Sequence, residues 1–398
     1  MSAIQPVTVL TLATALTLGQ MLALLSRFKH EVIAHPERAT HDVSWLLFLL
    51  NVLLLPIMLL AGLLVDLLGV RFMLIASCMV LSLSLLTLST RLAYWRTLIA
   101  VQAGALGAAV LSISTLVLLS RGLFGRDEVA SSLMLGMVFV ALGAAISTPL
   151  YDVLQHALGT RRTLGILALV QIVPSFLLLA VADDLSNPHG LGQLFQPLSD
   201  PAVWAAGLTL FTYAPLEAFI SVWTVNYLGL AGEKDSQSRW IAWFWLGIIG
   251  SRAALALLLH FTRIGDINNS LLMGAGLMRT ILVLLGLFSA VVLGNLIGAT
   301  KLERAAAGLI VLGFVLGPIY PLQLGLLLRL DSMREAPLGC YFALTHLVGS
   351  VGSLALLPLV NLGLQARQSQ SSLLIPLLLA LFLTAATVLF GFLAQATP

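Results

Sequence analysis

The chain has 398 residues, of which 59% are hydrophobic and 9% are charged, and its formal net charge is +3. Soluble domains carry about 25% charged residues, and no soluble core of this length could bury so much apolar surface. The composition therefore excludes a soluble protein, and the scattered basic residues exclude a nucleic-acid-binding surface. It predicts an all-α integral membrane protein, because the segments lack the alternation of a membrane β-barrel.

Runs of apolar residues long enough to cross a bilayer, about 20 residues each, follow one another along the chain. A polar stretch divides them into six and six, which predicts an N-terminal bundle at 1–182, a central cytoplasmic loop at 183–200 and a C-terminal bundle at 201–398. The twelve predicted spans are 7–27, 43–65, 72–92, 97–120, 130–154, 163–182, 201–228, 239–261, 276–298, 303–328, 337–361 and 373–395.

The chain has two cysteines, Cys78 and Cys340, and both lie inside apolar runs. Their positions indicate neither a disulfide framework nor a metal site. We therefore expect no metal and no cofactor.

A short joint, Gly62-Leu-Leu-Val-Asp66-Leu-Leu-Gly69-Val-Arg71, connects the second and third predicted spans. A carboxylate costs roughly 2.5–3.5 kcal/mol at mid-membrane, so the joint is predicted to lie at a membrane face. The two glycines allow the helices to turn back closely, and the acid and base can pair or cap a neighbouring helix end. We interpret Gly62, Asp66, Gly69 and Arg71 as a conformational latch.

The sequence signals disagree about the orientation of the chain. Twelve spans with the joint in the cytoplasm place both termini there, and the positive-inside rule then expects the basic residues on that side. Instead, twelve Lys and Arg residues fall on the outer side and seven on the inner side. We place the joint in the cytoplasm, with an inverted topology or a miscounted span as the alternatives.

The predicted span 201–228 carries polar residues on one helical face. Tyr213, Glu217 and Ser221 follow at intervals of four residues, and Pro215 suggests a kink beside the acid. An intramembrane carboxyl usually faces the bundle interior or a water-filled cavity. Glu217 is predicted either to bind substrate or a coupling proton there, or to be a hydrogen-bonded strut between helices.

The next predicted span contains Arg252, which is the natural partner of Glu217 or of an anionic substrate. A buried arginine without a partner is strongly destabilising, which favours such a pair. The alternative is that its guanidinium reaches a membrane interface by snorkelling.

The tenth predicted span contains Gly-Phe-Val-Leu-Gly-Pro-Ile-Tyr-Pro-Leu-Gln at 313–323. Its two prolines break the helical hydrogen-bond ladder, and its two glycines, four residues apart, form a close-packing face. Broken helices are tolerated at membrane depth where they line a cavity, so Tyr320 and Gln323 are predicted to line one. His346 is predicted to be a proton relay or a ligand contact, although a packing histidine is the commoner explanation. The candidates in the first half are neutral polar residues: Gln20, Asn51, Gln102, Ser112 and Gln171.

These motifs resemble those of a known transporter family. The 62–71 joint resembles the signature loop between helices two and three of the major facilitator superfamily, although Leu67 stands where the family usually has a basic residue. Parts of the second half resemble the fucose permease-like branch (fucose:proton symporters). These parts are Tyr213, Glu217, Ser221 and Trp223 in helix seven, Gly250 and Arg252 in helix eight, and Gly317 to Pro321 in helix ten.

The resemblance implies the major facilitator fold, with twelve transmembrane helices in two six-helix pseudo-symmetric bundles, and a secondary active transporter that works by alternating access. It also implies a sugar or related polar metabolite as substrate, often moved by proton symport, with Trp223 among the substrate-binding residues. The chain departs from the family because its first and fourth predicted spans contain no acidic residue. Proton coupling would then fall on Glu217 or His346, or be absent, which leaves a uniporter.

Our interpretation is a monomeric transporter, not an enzyme, in the cell (inner) membrane. Its partners would be a small-molecule substrate, the lipid bilayer and, where coupled, a proton. One alternative is a membrane-embedded transferase, which needs paired acids at a membrane face, where the chain offers Asp183 and Asp184. The other is a non-transporting sensor or assembly protein on a transporter fold.

Overall fold

The structure is a computed structural model. It describes residues 6–33, 40–90, 94–121, 123–124, 128–181, 193–230, 237–262, 271–297, 302–330, 336–366 and 374–396. In these residues the α-helices are α1 (Pro6–Ile33), α2 (Thr40–Leu68), α3 (Val70–Leu88), α4 (Tyr94–Ser120), α5 (Val129–Leu158), α6 (Thr160–Leu177), α7 (Pro201–Leu230), α8 (Gln237–Thr262), α9 (Leu271–Ile297), α10 (Leu302–Leu316), α11 (Ile319–Leu327), α12 (Leu338–Ala366) and α13 (Leu374–Ala396). Short 3-10 helices lie at Leu178–Ala180 and Gln196–Ser199.

Each predicted span coincides with a helix, and the tenth coincides with the interrupted pair α10 and α11. Within the described residues, eight helices are long and apolar enough to cross a membrane, and two shorter apolar helices lie at Leu55–Leu68 and Leu377–Leu393. The chain is therefore an integral, multi-pass membrane protein. The number of twelve crossings stays a prediction.

The chain forms two compact units. The first unit comprises Met1–Leu123, Phe139–Phe195 and Pro337–Ala343, and the second comprises Phe124–Val138, Gln196–Ala336 and Leu344–Pro398. Two helices are thus shared, because α5 begins in the second unit and α12 begins in the first. The predicted division at 183–200 stays a prediction, since residues 182–192 lie outside the described part of the chain.

In the first unit, α3 packs against α4 and α6, and α1 packs against α4. Glycines bring α1 and the second part of α5 into backbone contact. A Cβ atom on Gly19 would lie 1.8 Å from the carbonyl oxygen of Val140, and one on Gly143 would lie 2.1 Å from that of Leu16. Only residues without a side chain allow this approach.

Two corners of the first unit have the same backbone geometry. Gly69 joins α2 to α3 with φ 85° and ψ 151°, and Gly159 joins α5 to α6 with φ 78° and ψ 157°. These positive φ angles are accessible to glycine and strained for other residues. Both glycines lie in a Leu-Gly-x-Arg sequence, at 68–71 and 158–161, so one turn motif is used twice.

In the second unit, the main pairings are α8 with α10 and α13 with both α7 and α9. Helix α7 runs without interruption through Pro215. The predicted close-packing face of the tenth span is confirmed, since a Cβ atom on Gly313 would lie 2.3 Å from the carbonyl oxygen of Phe244 in α8.

Candidate functional site

The break between α10 and α11 is the local feature on which the candidate site is built. Pro321 has no amide hydrogen, so it cannot donate the helical hydrogen bond to the carbonyl of Gly317. Arg252 of α8 supplies that donor instead, with its Nε 2.7 Å from the Gly317 oxygen. A second guanidinium nitrogen, Nη1, donates to the carbonyl of Met137 over 3.3 Å.

Arg252 is therefore an internal residue that satisfies two backbone carbonyls. It is only 5% exposed, so the snorkelling alternative is wrong. It reaches the break because α8 and α10 are so close: a Cβ atom on Gly317 would lie 2.4 Å from the hydroxyl of Ser251. The proline pair and the glycine pair thus act together, the first by freeing a carbonyl and the second by admitting the arginine.

The carboxyl of Glu217 on α7 interacts electrostatically with the guanidinium of Arg252, as predicted from the sequence. Tyr213, one turn before Glu217 and 3% exposed, interacts electrostatically with both. The Tyr213 hydroxyl lies near these two side chains, although its geometry is not that of a hydrogen bond. An acid, a base and a phenol therefore meet inside the second unit.

Two further predicted residues join this group from α11 and α12. The ring of Tyr320 stacks on that of Tyr213, with centroids 6.4 Å apart and planes inclined by 21°. The Tyr320 hydroxyl is 2.8 Å from Nε2 of His346, a hydrogen bond whose direction depends on the histidine tautomer. We call Tyr213, Glu217, Arg252, Tyr320 and His346 the polar cluster.

Gln323 lies on the same short helix as Tyr320 but has a different contact. Its side-chain nitrogen donates to the carbonyl of Ala206 in α7 over 2.9 Å, and the residue is 1% exposed. Gln323 therefore ties α11 to α7.

In the first unit, Gln20 pairs with Gln171, another of the neutral candidates in the first half of the sequence. Nε2 of Gln171 donates to Oε1 of Gln20 over 3.2 Å, and the hydroxyl of Ser147 donates to the Gln20 carbonyl over 3.1 Å. The two glutamines are 151 residues apart, so no local pattern could connect them. The result is a buried pair of neutral amides.

Several other predictions fall outside what the structure describes. The side chains of Asn51, Ser221 and Trp223 are among them, and so are residues Asp183 and Asp184 of the transferase alternative. The roles of these residues stay predictions.

The 62–71 joint forms the second feature of interest, within the first unit. The two carboxyl oxygens of Asp66 accept hydrogen bonds from the backbone N–H groups of Gly339 (2.9 Å) and Cys340 (2.7 Å) at the start of α12. Asp66 is 5% exposed, and it places a carboxylate at the positive end of a helix dipole. The sequence predicted that Asp66 either pairs with a base or caps a neighbouring helix end, and the structure contains the helix cap.

Gly62 has a different structural role from the one expected from the sequence. It lies within α2 and not in the turn, so the expectation that it helps the helices turn back is wrong. A Cβ atom there would lie 2.4 Å from the carbonyl oxygen of Gly339, so its small size is what admits α12. The turn itself depends on Gly69, and Arg71 is exposed.

Comparison with known proteins gives a structural likeness and no likeness in sequence. No family model matches the chain, and no curated protein matches it. Several solved structures resemble it over nearly all its length. The major facilitator superfamily transporter FucP in the outward conformation is 13% identical with a TM-score of 0.72, and the match covers 96% of this chain and 98% of that one. The human organic anion transporter MFSD10 is 15% identical with a TM-score of 0.66 and 98% of each chain covered, and a bacterial homologue of the iron transporter ferroportin in an outward-facing state is 13% identical with a TM-score of 0.71, covering 98% of this chain and 100% of that one.

The chain therefore has the fold of major facilitator superfamily transporters. Its similarity is nearly the same to all three proteins, whose names give different cargoes, so it does not single out the fucose permease-like branch.

Proposed function

We propose that this protein is a secondary transporter that moves a small polar metabolite across a membrane by alternating access. The observation that carries the proposal is the polar cluster, in which Glu217 and Arg252 meet on membrane helices of a transporter fold. Ionisable residues in membrane segments are rare and usually mark substrate or ion pathways. A purely structural bundle has little need of five such side chains together.

The charges of the cluster favour a neutral polar substrate. Glu217 places an acid beside the cation of Arg252, and Arg252 is already bonded to two carbonyls. In the first unit, the buried polar pair of Gln20 and Gln171 is likewise neutral. Hydroxyl, phenol and amide groups suit a sugar or related compound, and no excess cation is present in these residues to attract an anionic one.

Proton coupling is part of the proposal, with Glu217 as the proton-binding group. Its carboxyl is beside the positive charge of Arg252, so gain or loss of a proton would change the net charge of the cluster. Tyr320, which is hydrogen-bonded to His346, stacks on the ring of Tyr213, and Tyr213 is one helical turn before Glu217. The protein is a uniporter if its transport does not respond to a proton gradient.

The Asp66 cap is proposed to be the latch of this cycle. A hydrogen-bonded carboxylate at the start of α12 stabilises the arrangement in which the cap is made, and transport requires a second arrangement. The latch would therefore set how often the protein switches.

The test is uptake by purified protein in proteoliposomes, with a panel of neutral sugars, polyols, organic anions and iron, with and without an imposed pH gradient. We expect uptake of a neutral polar compound, and its loss or the loss of its gradient dependence in Glu217→Gln. The matched control is Glu303→Gln, which removes an exposed carboxyl from the first turn of α10. Selective uptake of anions or iron would refute the substrate class. Unchanged uptake by Glu217→Gln would make Glu217 a strut.

A further inference from the structure

A histidine and a glutamate outside the polar cluster join the start of α5 to the end of α8. Glu128 directly precedes α5, and His260 lies in the last turn of α8. Nδ1 of His260 is 2.5 Å from Oε2 of Glu128, and the two side chains are 36% and 16% exposed. Both residues belong to the second unit, and the contact is independent of every residue assigned a transport role above.

An aromatic ring and a hydroxyl hold this contact in place. The ring of Phe124 stacks on the imidazole of His260, with centroids 4.4 Å apart and planes inclined by 27°. The backbone N–H of Phe124 donates to the hydroxyl of Ser132 over 3.4 Å, and that hydroxyl donates to the carbonyl of Glu128 over 2.9 Å. Phe124 and Glu128 are thereby both bound to Ser132 in the first turn of α5, and both contact His260.

Helix α5 is the element for which such a contact matters most. Its first part, to Val138, belongs to the second unit, and its remainder, from Phe139, belongs to the first. The bond between Glu128 and His260 attaches the beginning of this part to α8, and the bond from Arg252 to the carbonyl of Met137 attaches its end.

We propose that Phe124, Glu128 and His260 form a proton-responsive clasp, which attaches the start of α5 to α8 more firmly at acidic pH. Histidine is the side chain whose charge ordinarily changes between pH 5 and 8. A protonated imidazole makes a charge-assisted hydrogen bond to a carboxylate and a favourable contact with an aromatic face. A neutral imidazole keeps only an ordinary hydrogen bond, which is weaker.

The other charged groups near His260 do not replace this partner. Helix α8 packs against α10 and α7. The acidic and basic residues on these helices are Glu303 and Arg304 in the first turn of α10 and Glu217 on α7, and α7 also carries the phenols of Tyr213 and Tyr227. Glu217 is engaged with Arg252, two turns before His260. Arg329, after α11, donates to the sulfur of Met278 over 3.5 Å. Arg121, three residues before Phe124, is described and has contacts of its own. Five more charged residues in the neighbouring sequence lie outside the described residues: Arg126, Asp127, Arg263, Asp266 and Asp331.

The clasp has a consequence for transport, and this part rests on the proposed function. If the protein alternates between two arrangements, protonation of His260 favours the arrangement described here, in which the clasp is formed. The clasp itself does not depend on that function, so the two can fail separately.

The test is hydrogen–deuterium exchange of the full-length protein in lipid nanodiscs, measured by mass spectrometry at about pH 6 and about pH 8 and corrected for intrinsic exchange rates. We expect peptides from 128–138 to be about two- to fivefold more protected at the lower pH, the range for a partly exposed ion pair. Peptides from 139–158 of the same helix are the internal reference. His260→Gln and Glu128→Gln should each remove the difference.

The matched control is His156→Gln, which changes an exposed histidine near the other end of α5 and should keep the native pH response. If His260→Gln does not fold, His260→Asn and Glu128→Gln provide the same comparison. A pH difference that persists in these variants, or its absence in the native protein, overturns the clasp. Uptake by the same variants, reconstituted separately in proteoliposomes, separates this outcome from failure of the proposed function.

Discussion

Replacement of Arg252 by glutamine is the most informative perturbation of the polar cluster. It removes a cation that donates to the carbonyls of Gly317 and Met137 and compensates the charge of Glu217. Removing one partner of a buried ion pair costs about 3–5 kcal/mol. After Arg252→Gln, the acid that remains, Glu217, is partly buried. A glutamine amide can still donate to one carbonyl, so we expect a loss near the lower end, about 3 kcal/mol.

The reciprocal change should be milder. Glu217→Gln leaves Arg252 bonded to both carbonyls, so we expect a loss of about 1 kcal/mol. In the double variant neither the acid nor the cation remains. It should therefore be more stable than Arg252→Gln alone, with a coupling energy of about 2 kcal/mol between the two positions.

The assay uses the two free cysteines of the chain. Cys78 is fully buried and Cys340 is 8% exposed, so a thiol-reactive fluorogenic dye reports unfolding as these thiols become accessible. The expected order of midpoint temperatures is native, Glu217→Gln, the double variant and Arg252→Gln. A double variant less stable than Arg252→Gln would show additive losses and refute the pairing of Glu217 with Arg252.

Two further predictions concern the latch and the packing of α8 with α10. Asp66→Asn should retain substrate binding and slow proteoliposome flux roughly 5- to 30-fold, because the cap and its charge are worth about 1–2 kcal/mol. Equal flux in Asp66→Asn and in the control Glu303→Gln would remove the latch from the mechanism. Gly313→Ala should lower the midpoint temperature, since its Cβ would lie 2.3 Å from the carbonyl oxygen of Phe244 and overpacking costs about 1–3 kcal/mol. Gly250→Ala, where a Cβ meets nothing within 4 Å, should not lower it, and equal effects of the two would contradict the packing argument.

The helices and the break in the tenth span could be predicted from the sequence because their causes are local. An apolar run of about 20 residues satisfies its own backbone hydrogen bonds as a helix whatever surrounds it. Pro318 and Pro321 interrupt the ladder wherever they stand, and the structure ends α10 at Leu316 and begins α11 at Ile319. The shared face of Tyr213 and Glu217 follows from helical periodicity alone.

The sequence by itself thus determined a membrane protein, the positions of its helices and the helical face that carries an acid. Only the tertiary structure decided which partners those residues meet. Asp66 bonds to residues 273 and 274 positions later, Arg252 to Gly317 across 65, and Glu128 to His260 across 132. The physical reason is that periodicity reports which face of a helix is distinctive, whereas a contact depends on how closely another backbone can approach. In this protein, glycines such as Gly62 and Gly317 set that distance.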